Sequence, residues 1–326
     1  MNLDLLEQPE LHSSKLSIVG AGGAVGSSIA YAAMIRASAK EIALYDIDEK
    51  RVKAQCQDLA DGTQFTKTSL IVGDSDMKVT ANSQVVIITA GAAQKPGQTR
   101  LDLAGINSKI ISGMMPDLVR LSPSAIFVIV TNPADVMTVV AQKTSGLPAN
   151  RVFSTGTLLD TSRLRQKIGS YVGISLENIH ANVVGEHGDS EFPLWSSAEI
   201  TSIPIRQWRD EQGKIVFTDE VLADIKDQTV NAAYSIIEGK GATNYAIGLS
   251  AARLVEAIMG EQGRIFPLSS VLDNYHGISG VALSVPCLVG QDGIKRVLDV
   301  PMNDAELAEL KKSAATISET VKALGY

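Results

Sequence analysis

The stretch KLSIVGAGGAVGSSIA, residues Lys15–Ala30, decides the fold. Leu16–Val19 is an apolar run that reads as a buried strand, and it passes through a glycine-rich turn into a helical pattern over Ser27–Ala37. Glycines in such a turn let backbone amides approach a ligand closely, and the helix behind them presents its positive end to an anion such as a pyrophosphate. The spacing departs from a strict GxGxxG: Gly20, Gly23 and Gly26 stand in register, Gly22 is extra, and Val25 joins the three as a candidate contact. A plain strand–helix turn can produce such glycines. Asp46, twenty residues past Gly26 at the end of a second apolar run, gives them meaning. A carboxylate there accepts hydrogen bonds from both ribose hydroxyls and repels a 2′-phosphate, so NAD is the expected cofactor rather than NADP. Asp48 competes for that role, but its plain reading is the N-cap of the next helix.

Working outward, the runs Leu16–Val19, Ile42–Tyr45, Val85–Thr89 and Ile126–Val130 read as buried strands. Ser27–Ala37, Glu49–Asp61, Ile106–Leu121 and Ala134–Ser145 read as helices between them. This alternation predicts a Rossmann-type, doubly wound parallel sheet of the α/β class. Beyond residue 150 the rhythm changes. Thr218–Glu238 and Asn244–Glu261 read as long helices, Arg264–Val271 and Gly280–Val289 as antiparallel strands, and Asp304–Leu324 as a closing amphipathic helix. The expected organisation is a nucleotide-binding domain over 1–150, with a short arm at 1–14, and a mixed α+β catalytic domain over 151–326, with a cleft between them.

Hydrophobic residues at 45% and charged residues at 20% are ordinary for a globular protein of 326 residues. The net charge of −7, without a basic run, argues against nucleic acid or an anionic membrane as partner. No apolar stretch has the length of a membrane span, and the opening MNLDLLEQPELHSS lacks the basic flank and apolar core of a secretory signal. Cys56 and Cys287 are too few and too distant for a disulfide framework or a cysteine-based zinc site, so no metal is expected and a cytoplasmic location is.

Two segments carry the chemistry, GTLLDTSR (Gly156–Arg163) and GEHGD (Gly185–Asp189). His187, between glycines, can exchange a proton near neutral pH. Asp160 can hold one ring nitrogen and stabilise the imidazolium form. Arg163, three residues on, shares a helix face with Asp160, and its planar fork suits a substrate carboxylate. Against these stands the plainer reading of a structural histidine beside an unrelated ion pair. The loop GAAQKPGQTRL (Gly91–Leu101) follows a strand at the edge where open α/β sheets bind ligands. It reads as a lid on which Arg100 could polarise a substrate carbonyl. Asn132, in TNP at the same edge, can bond both substrate and backbone. His12 and His276 read as structural or exposed.

Together these segments resemble the L-lactate/L-malate dehydrogenase family over nearly the whole chain. The resemblance rests on the Gly20–Gly26 loop, Asp46, GAAQKPGQTRLDL, VTNPADV, GTLLDTSR, GEHGD and KGATNYAIGLS (Lys240–Ser250). It implies an NAD-dependent L-2-hydroxy acid dehydrogenase in which His187 is the acid/base, Asp160 its partner, Arg163 the carboxylate anchor and Arg100 the carbonyl polariser. Asn132 would serve substrate and cofactor, Thr243 would line the pocket, and Ile247 would pack on the nicotinamide. Within the family the position of Gln94 discriminates substrates. Malate enzymes carry arginine there, and a neutral glutamine cannot compensate a second carboxylate, so pyruvate/L-lactate is favoured over oxaloacetate/malate. The neighbouring Lys95 could reach inward, but the QKPG pattern of the lactate enzymes favours an outward-facing lysine, and the malate-like glycine loop is a conflicting signal that bears on cofactor geometry rather than on the acid bound. The resemblance also implies a homotetramer, with a dimer as the alternative, and a place in pyruvate fermentation after glycolysis. Arg165 and His180 match the spacing of a fructose 1,6-bisphosphate activator site in bacterial lactate enzymes, where an ordinary interface arginine and strand histidine are the rival reading. A short-chain dehydrogenase is excluded, because none of the seven tyrosines has lysine four residues on. A non-catalytic NAD-binding protein remains the rival of a different class.

Overall fold

The computed structural model describes residues 14–67, 70–92 and 99–326, with Arg100 through its backbone alone. In the first half the chain forms β1 (Lys15–Val19), α1 (Ala24–Arg36), β2 (Glu41–Tyr45), α2 (Glu49–Asp61), β3 (Leu70–Asp74), β4 (Val85–Ile88), α3 (Arg100–Leu121), β5 (Ile126–Ile129), α4 (Ala134–Ser145) and β6 (Val152–Ser154). Then come α5 (Leu158–Val172) and five two-residue strands, β7 (Ile179–His180), β8 (Val183–Val184), β9 (Phe192–Pro193), β10 (Glu199–Ile200) and β11 (Ile203–Pro204). The chain ends with α6 (Asp219–Val230), α7 (Ala232–Lys240), α8 (Tyr245–Met259), β12 (Arg264–Val271), β13 (Ala282–Gly290), β14 (Gly293–Val297) and α9 (Asp304–Ala323).

The strands β6-β5-β4-β1-β2-β3 pair in parallel, in that order. Every residue of β4 is fully buried, which is why its apolar run does not alternate: helices cover both faces. The sheet does not stop at the first half. β12 pairs antiparallel with β6, β13 with β12 and β14 with β13, giving nine strands in one sheet. The predicted fold class is the observed one, a doubly wound parallel sheet with a mixed α/β second half. A smaller core of Leu164, Ile168, Val183, Ile200, Phe217 and Leu222 sits under α5 and α6. Among the described residues no helix is long and apolar enough to cross a membrane.

Several elements differ from their predicted bounds for identifiable reasons. Helix α1 begins at Ala24, because Gly23 takes an extended N-cap conformation (φ −75°, ψ 163°). Helix α3 begins at Arg100, six residues before the apolar periodicity, because Thr99 and Asp102 form a reciprocal capping box. The predicted helix Thr218–Glu238 is two, α6 and α7, parted at Asn231, whose side chain donates back to the Asp227 carbonyl at 2.9 Å. Strands β3 and β6 have no counterpart in the sequence reading.

Helix α8 belongs to the second half but lies on α1 of the first. Their backbones approach so closely that a Cβ on Gly248 would fall 2.7 Å from the Ser28 carbonyl oxygen. At the far end, Arg36 grips Glu256 through two bonds of 2.5 and 2.9 Å. Gly248→Ala therefore forces the helices apart. Such overpacking costs about 1–3 kcal/mol, expected as a lower urea midpoint at unchanged m-value against wild type.

Candidate active site

The carboxyl ends of β1, β2, β5 and β6 lead to Gly20, Asp46, Asn132 and Asp160 in turn. After β1 the chain turns at Gly20 (φ +87°), whose N–H donates to the Tyr45 carbonyl at 2.8 Å. A Cβ there would sit 2.6 Å from the Ala90 nitrogen, and one on Gly26 would sit 2.5 Å from the Gly20 carbonyl oxygen. Only glycine lets the loop close on itself in this way. No side chain caps α1, and no acidic residue lies in its first turn, so its positive end at Gly23–Gly26, with Val25 in the first turn, is left for an outside anion. Asp46 ends β2 and faces this loop, accepting from the Gly22 N–H at 2.8 Å and from the Asp48 N–H at 3.1 Å. Gly22 is therefore not spare: a Cβ on it would lie 2.9 Å from an Asp46 carboxylate oxygen. Asp48 caps α2, accepting from the Arg51 N–H at 3.0 Å.

His187 sits in the loop joining β8 to β9. That loop is pinned to β13 by paired backbone bonds between Gly185 and Ser284, at 2.9 and 3.0 Å. Nδ1 turns inward, 2.8 Å from Asp160 Oδ2, and the ring keeps 30% of its surface exposed, which leaves the Nε2 side open. Asp160, 2% exposed on α5, also accepts from an Arg163 guanidinium nitrogen at 2.6 Å. Among the described residues this is the guanidinium's one bond, and none of them takes up the rest of its fork. The sequence missed two further carboxylates. Asp135 on α4 accepts from the His187 backbone N–H at 2.8 Å, and Glu191 approaches Nδ1 to 3.5 Å from one turn further along the loop. Both are buried, at 1% and 4% exposed. A faint signal existed: Asp135 stands in the NPAD motif, and Glu191 is four residues past the histidine.

Burial sets the titration of this cluster. It disfavours charge on the His187 ring, yet the Asp160 carboxylate, with Glu191 behind it, outweighs burial and holds the imidazole well above its ordinary value. Burial likewise opposes ionised Asp160, and here His187 and Arg163 prevail and hold the carboxyl low. Asp135 has weaker support, from Ser269 and the His187 loop, and burial pushes it up to about 6. Glu191 is raised by burial and by the charge of Asp160. Asp160, His187 and Glu191 also offer ligand-type atoms within 4.8 Å of one another, the one such grouping among the described residues. Those atoms face each other as an acid–base cluster.

Around this centre, Asn132 leaves the end of β5 with its side chain exposed. Its carbonyl oxygen accepts at 2.7 Å from Asn107, a buried α3 residue absent from the sequence reading. Asn107 also accepts from the Ala92 N–H at 2.8 Å, so one amide ties the exits of β4 and β5 together. Half-buried Thr243 and Ile247 flank the start of α8, where Asn244 donates to the Ser28 hydroxyl at 2.8 Å and brings this turn against α1. Gln94, Lys95, His12 and the side chain of Arg100 lie outside the described residues. Arg165 donates from Nε to the Ala181 carbonyl at 2.9 Å, beside exposed His180 on β7.

The family model described as lactate/malate dehydrogenase, NAD binding domain, matches residues 14–154, and that of the α/β C-terminal domain of the same family matches residues 157–324. The L-lactate dehydrogenase of Bifidobacterium animalis subsp. lactis is 47% identical over 313 residues, covering 96% of this chain and 98% of its own length. That of Kosmotoga olearia is 43% identical over 311 residues, covering 95% and 96%. A solved lactate dehydrogenase from a Medee basin deep-sea metagenome library superposes with a TM-score of 0.91 at 35% identity, over 96% of this chain and 99% of that one. The ligand-bound minor L-lactate dehydrogenase of Enterococcus mundtii gives 0.91 at 34% identity, over 96% and 98%. With both domain signatures matched in order along a glycine-loop sheet and a buried Asp–His–Arg cluster, this chain belongs to the lactate/malate dehydrogenase family.

Proposed function

We propose that this chain is an NAD-dependent L-lactate dehydrogenase, interconverting pyruvate and L-lactate. The observation that carries the reading is one carboxylate, Asp160, 2% exposed and within 2.6 Å of a guanidinium nitrogen and 2.8 Å of an imidazole nitrogen. It couples a proton-exchanging group to an anion anchor.

The glycine cradle, the uncapped end of α1 and the carboxylate closing β2 fit a dinucleotide. Gly20, Gly23, Val25 and Gly26 would surround its pyrophosphate and Asp46 would take a ribose, with Asn132 and Ile247 beside the nicotinamide. Bound NADH supplies the hydride. In pyruvate reduction the uncommitted donors of Arg163 hold the substrate carboxylate. Arg100 polarises the carbonyl as charge grows on its oxygen, and Gln94 and Thr243 line the pocket. His187, as imidazolium, gives its Nε2 proton to that oxygen while Asp160 keeps the ring oriented and stabilises its charge. In lactate oxidation neutral His187 accepts the hydroxyl proton. The division into an NAD-binding unit over 1–150 and a catalytic unit over 151–326 follows the same reading.

We further infer a cytoplasmic homo-oligomer, a tetramer, switched by fructose 1,6-bisphosphate at Arg165 and His180. Unpaired Cys56 and Cys287 suit a reducing compartment. Tyr31 and Ile35 on α1 are 56% and 55% exposed, and Tyr245 and Leu249 on α8 are 72% and 55% exposed; these are apolar surfaces that a second copy would cover. Arg165 lies near exposed His180, its guanidinium donating to the Ala181 carbonyl and the Asn182 side chain.

Followed by NADH absorbance, pyruvate is expected to turn over at a kcat/KM at least about tenfold above oxaloacetate, since burying an unpaired charge forfeits more than 1.4 kcal/mol; faster oxaloacetate turnover reverses the substrate assignment. His187→Asn lowers kcat about 10²- to 10⁴-fold, the usual contribution of a positioned acid/base. Because His187 is raised and pyruvate reduction needs its protonated form, kcat/KM for pyruvate is flat at neutral pH and falls only as pH rises through that raised value. Lactate oxidation shows the opposite slope. Fructose 1,6-bisphosphate moves the pyruvate saturation curve to lower concentration and increases the tetramer fraction in sedimentation, and His180→Ala abolishes both effects.

A further inference from the structure

Six buried side-chain polar atoms among the described residues lack an aligned hydrogen-bond partner, and three of them meet at one point: His187 Nδ1, Asp160 Oδ2 and Glu191 Oε2. Nδ1 lies 2.8 Å from the first oxygen and 3.5 Å from the second. Both distances are short, yet the ring N–H is aligned on neither oxygen. Both carboxylate oxygens stand around that one ring N–H, Asp160 nearer and Glu191 further off. Buried polar atoms seldom go unpaired, and here three are explained together by one shared proton.

We propose that Glu191 is a second positioning carboxylate for the acid/base, sharing the Nδ1–H of His187 with Asp160. This rests on the reading of His187 as the proton carrier. The two acids differ in how they are held. Asp160 belongs to α5 and is gripped by Arg163. Glu191 is on the histidine's own loop, its N–H bonded to the Gly188 carbonyl at 3.3 Å, so it travels with the ring. The other charged groups facing this point are Arg163 from α5, Asp135 from α4 and Glu186 within the loop. Glu186 is engaged by the Ser190 hydroxyl at 2.5 Å, and Ser190 is held by Ser313 of α9 at 2.8 Å, which leaves Glu191 as the acid aimed at the ring.

The sign of the effect follows. Glu191 is among the groups that hold His187 above its ordinary value, and it does so as a carboxylate. Removing that negative charge lets the ring lose its proton at lower pH. A charge at this range moves a titration by about one unit or more.

The test is the titration of His187 by nitrogen NMR on ¹⁵N-histidine-labelled full-length protein, its signal assigned by its absence in His187→Asn. Glu191→Gln keeps the shape of the side chain and is expected to lower the His187 midpoint by about one pH unit and to change the Nδ1 shift. The alkaline fall in kcat/KM for pyruvate moves down by the same amount. Glu191→Asp, which keeps the charge, restores part of the shift. An unchanged His187 titration in a folded Glu191→Gln protein, judged by circular dichroism and NADH binding, overturns the proposal. The titration is read without turnover, so a shifted midpoint in a protein inactive on pyruvate upholds the Glu191 contact and rejects the acid/base reading instead.

Discussion

Asp160 is a carboxylate that could not stay charged where it is without its two neighbours. At 2% exposure it has almost no water, and burial alone would favour its neutral form. Arg163 on one oxygen and His187 at the other reverse that preference. The dependence is mutual, because the imidazole stays cationic through the same contact. Loss of any member leaves a buried charge uncompensated, which is far costlier than loss of an exposed pair.

The sheet is what brings three distant segments together around Asp160 and His187. β6 leads into α5 and delivers Asp160 and Arg163; β5 leads into α4 and delivers Asn132 and Asp135; β13 anchors the His187 loop through Gly185. Because β12 and β13 continue the sheet past β6, the loop carrying His187 is fixed to the framework that carries the glycine cradle. The Asp160–His187 pair is therefore held by one continuous sheet. Helix α8 reinforces this by lying on α1, with Gly248 against Ser28.

What the sequence made legible was local chemistry with a short signature. The strand–glycine–helix turn, Asp46 at the end of β2, and the Asp160–Arg163 spacing all lie within a few residues of one another or of a strand end. Less legible were contacts made only by folding: Asp135 reaches the His187 backbone across 52 residues, and Asn107 reaches Asn132 across 25. Neither carboxylate nor amide advertises such a partner. Strand β6 escaped notice because three residues carry no periodicity, and β3 because Gly73 and Asp74 break its apolar run. The break at Asn231 is invisible to a hydrophobic pattern that continues on both sides. The early start of α3 was readable, since Thr99-Arg-Leu-Asp102 spells a capping box, but the apolar periodicity overrode it.

The two acids beside His187 answer to different events. On the proposed reading a substrate carboxylate arrives at Arg163, the guanidinium that also neutralises Asp160. Whatever share of that positive charge turns to the substrate is withdrawn from Asp160, whose negative charge is then felt more strongly by the imidazolium. Substrate binding and protonation of His187 are thus coupled through one shared guanidinium, and the coupling favours the keto acid on the protonated enzyme. Among the described residues Glu191 makes no contact with Arg163, although it too feels the charge of Asp160. It holds the ring from the histidine's own loop, while Asp160 transmits the presence of the acid. A site with Asp160 alone would sense its substrate equally well but would hold its proton less firmly before the substrate came.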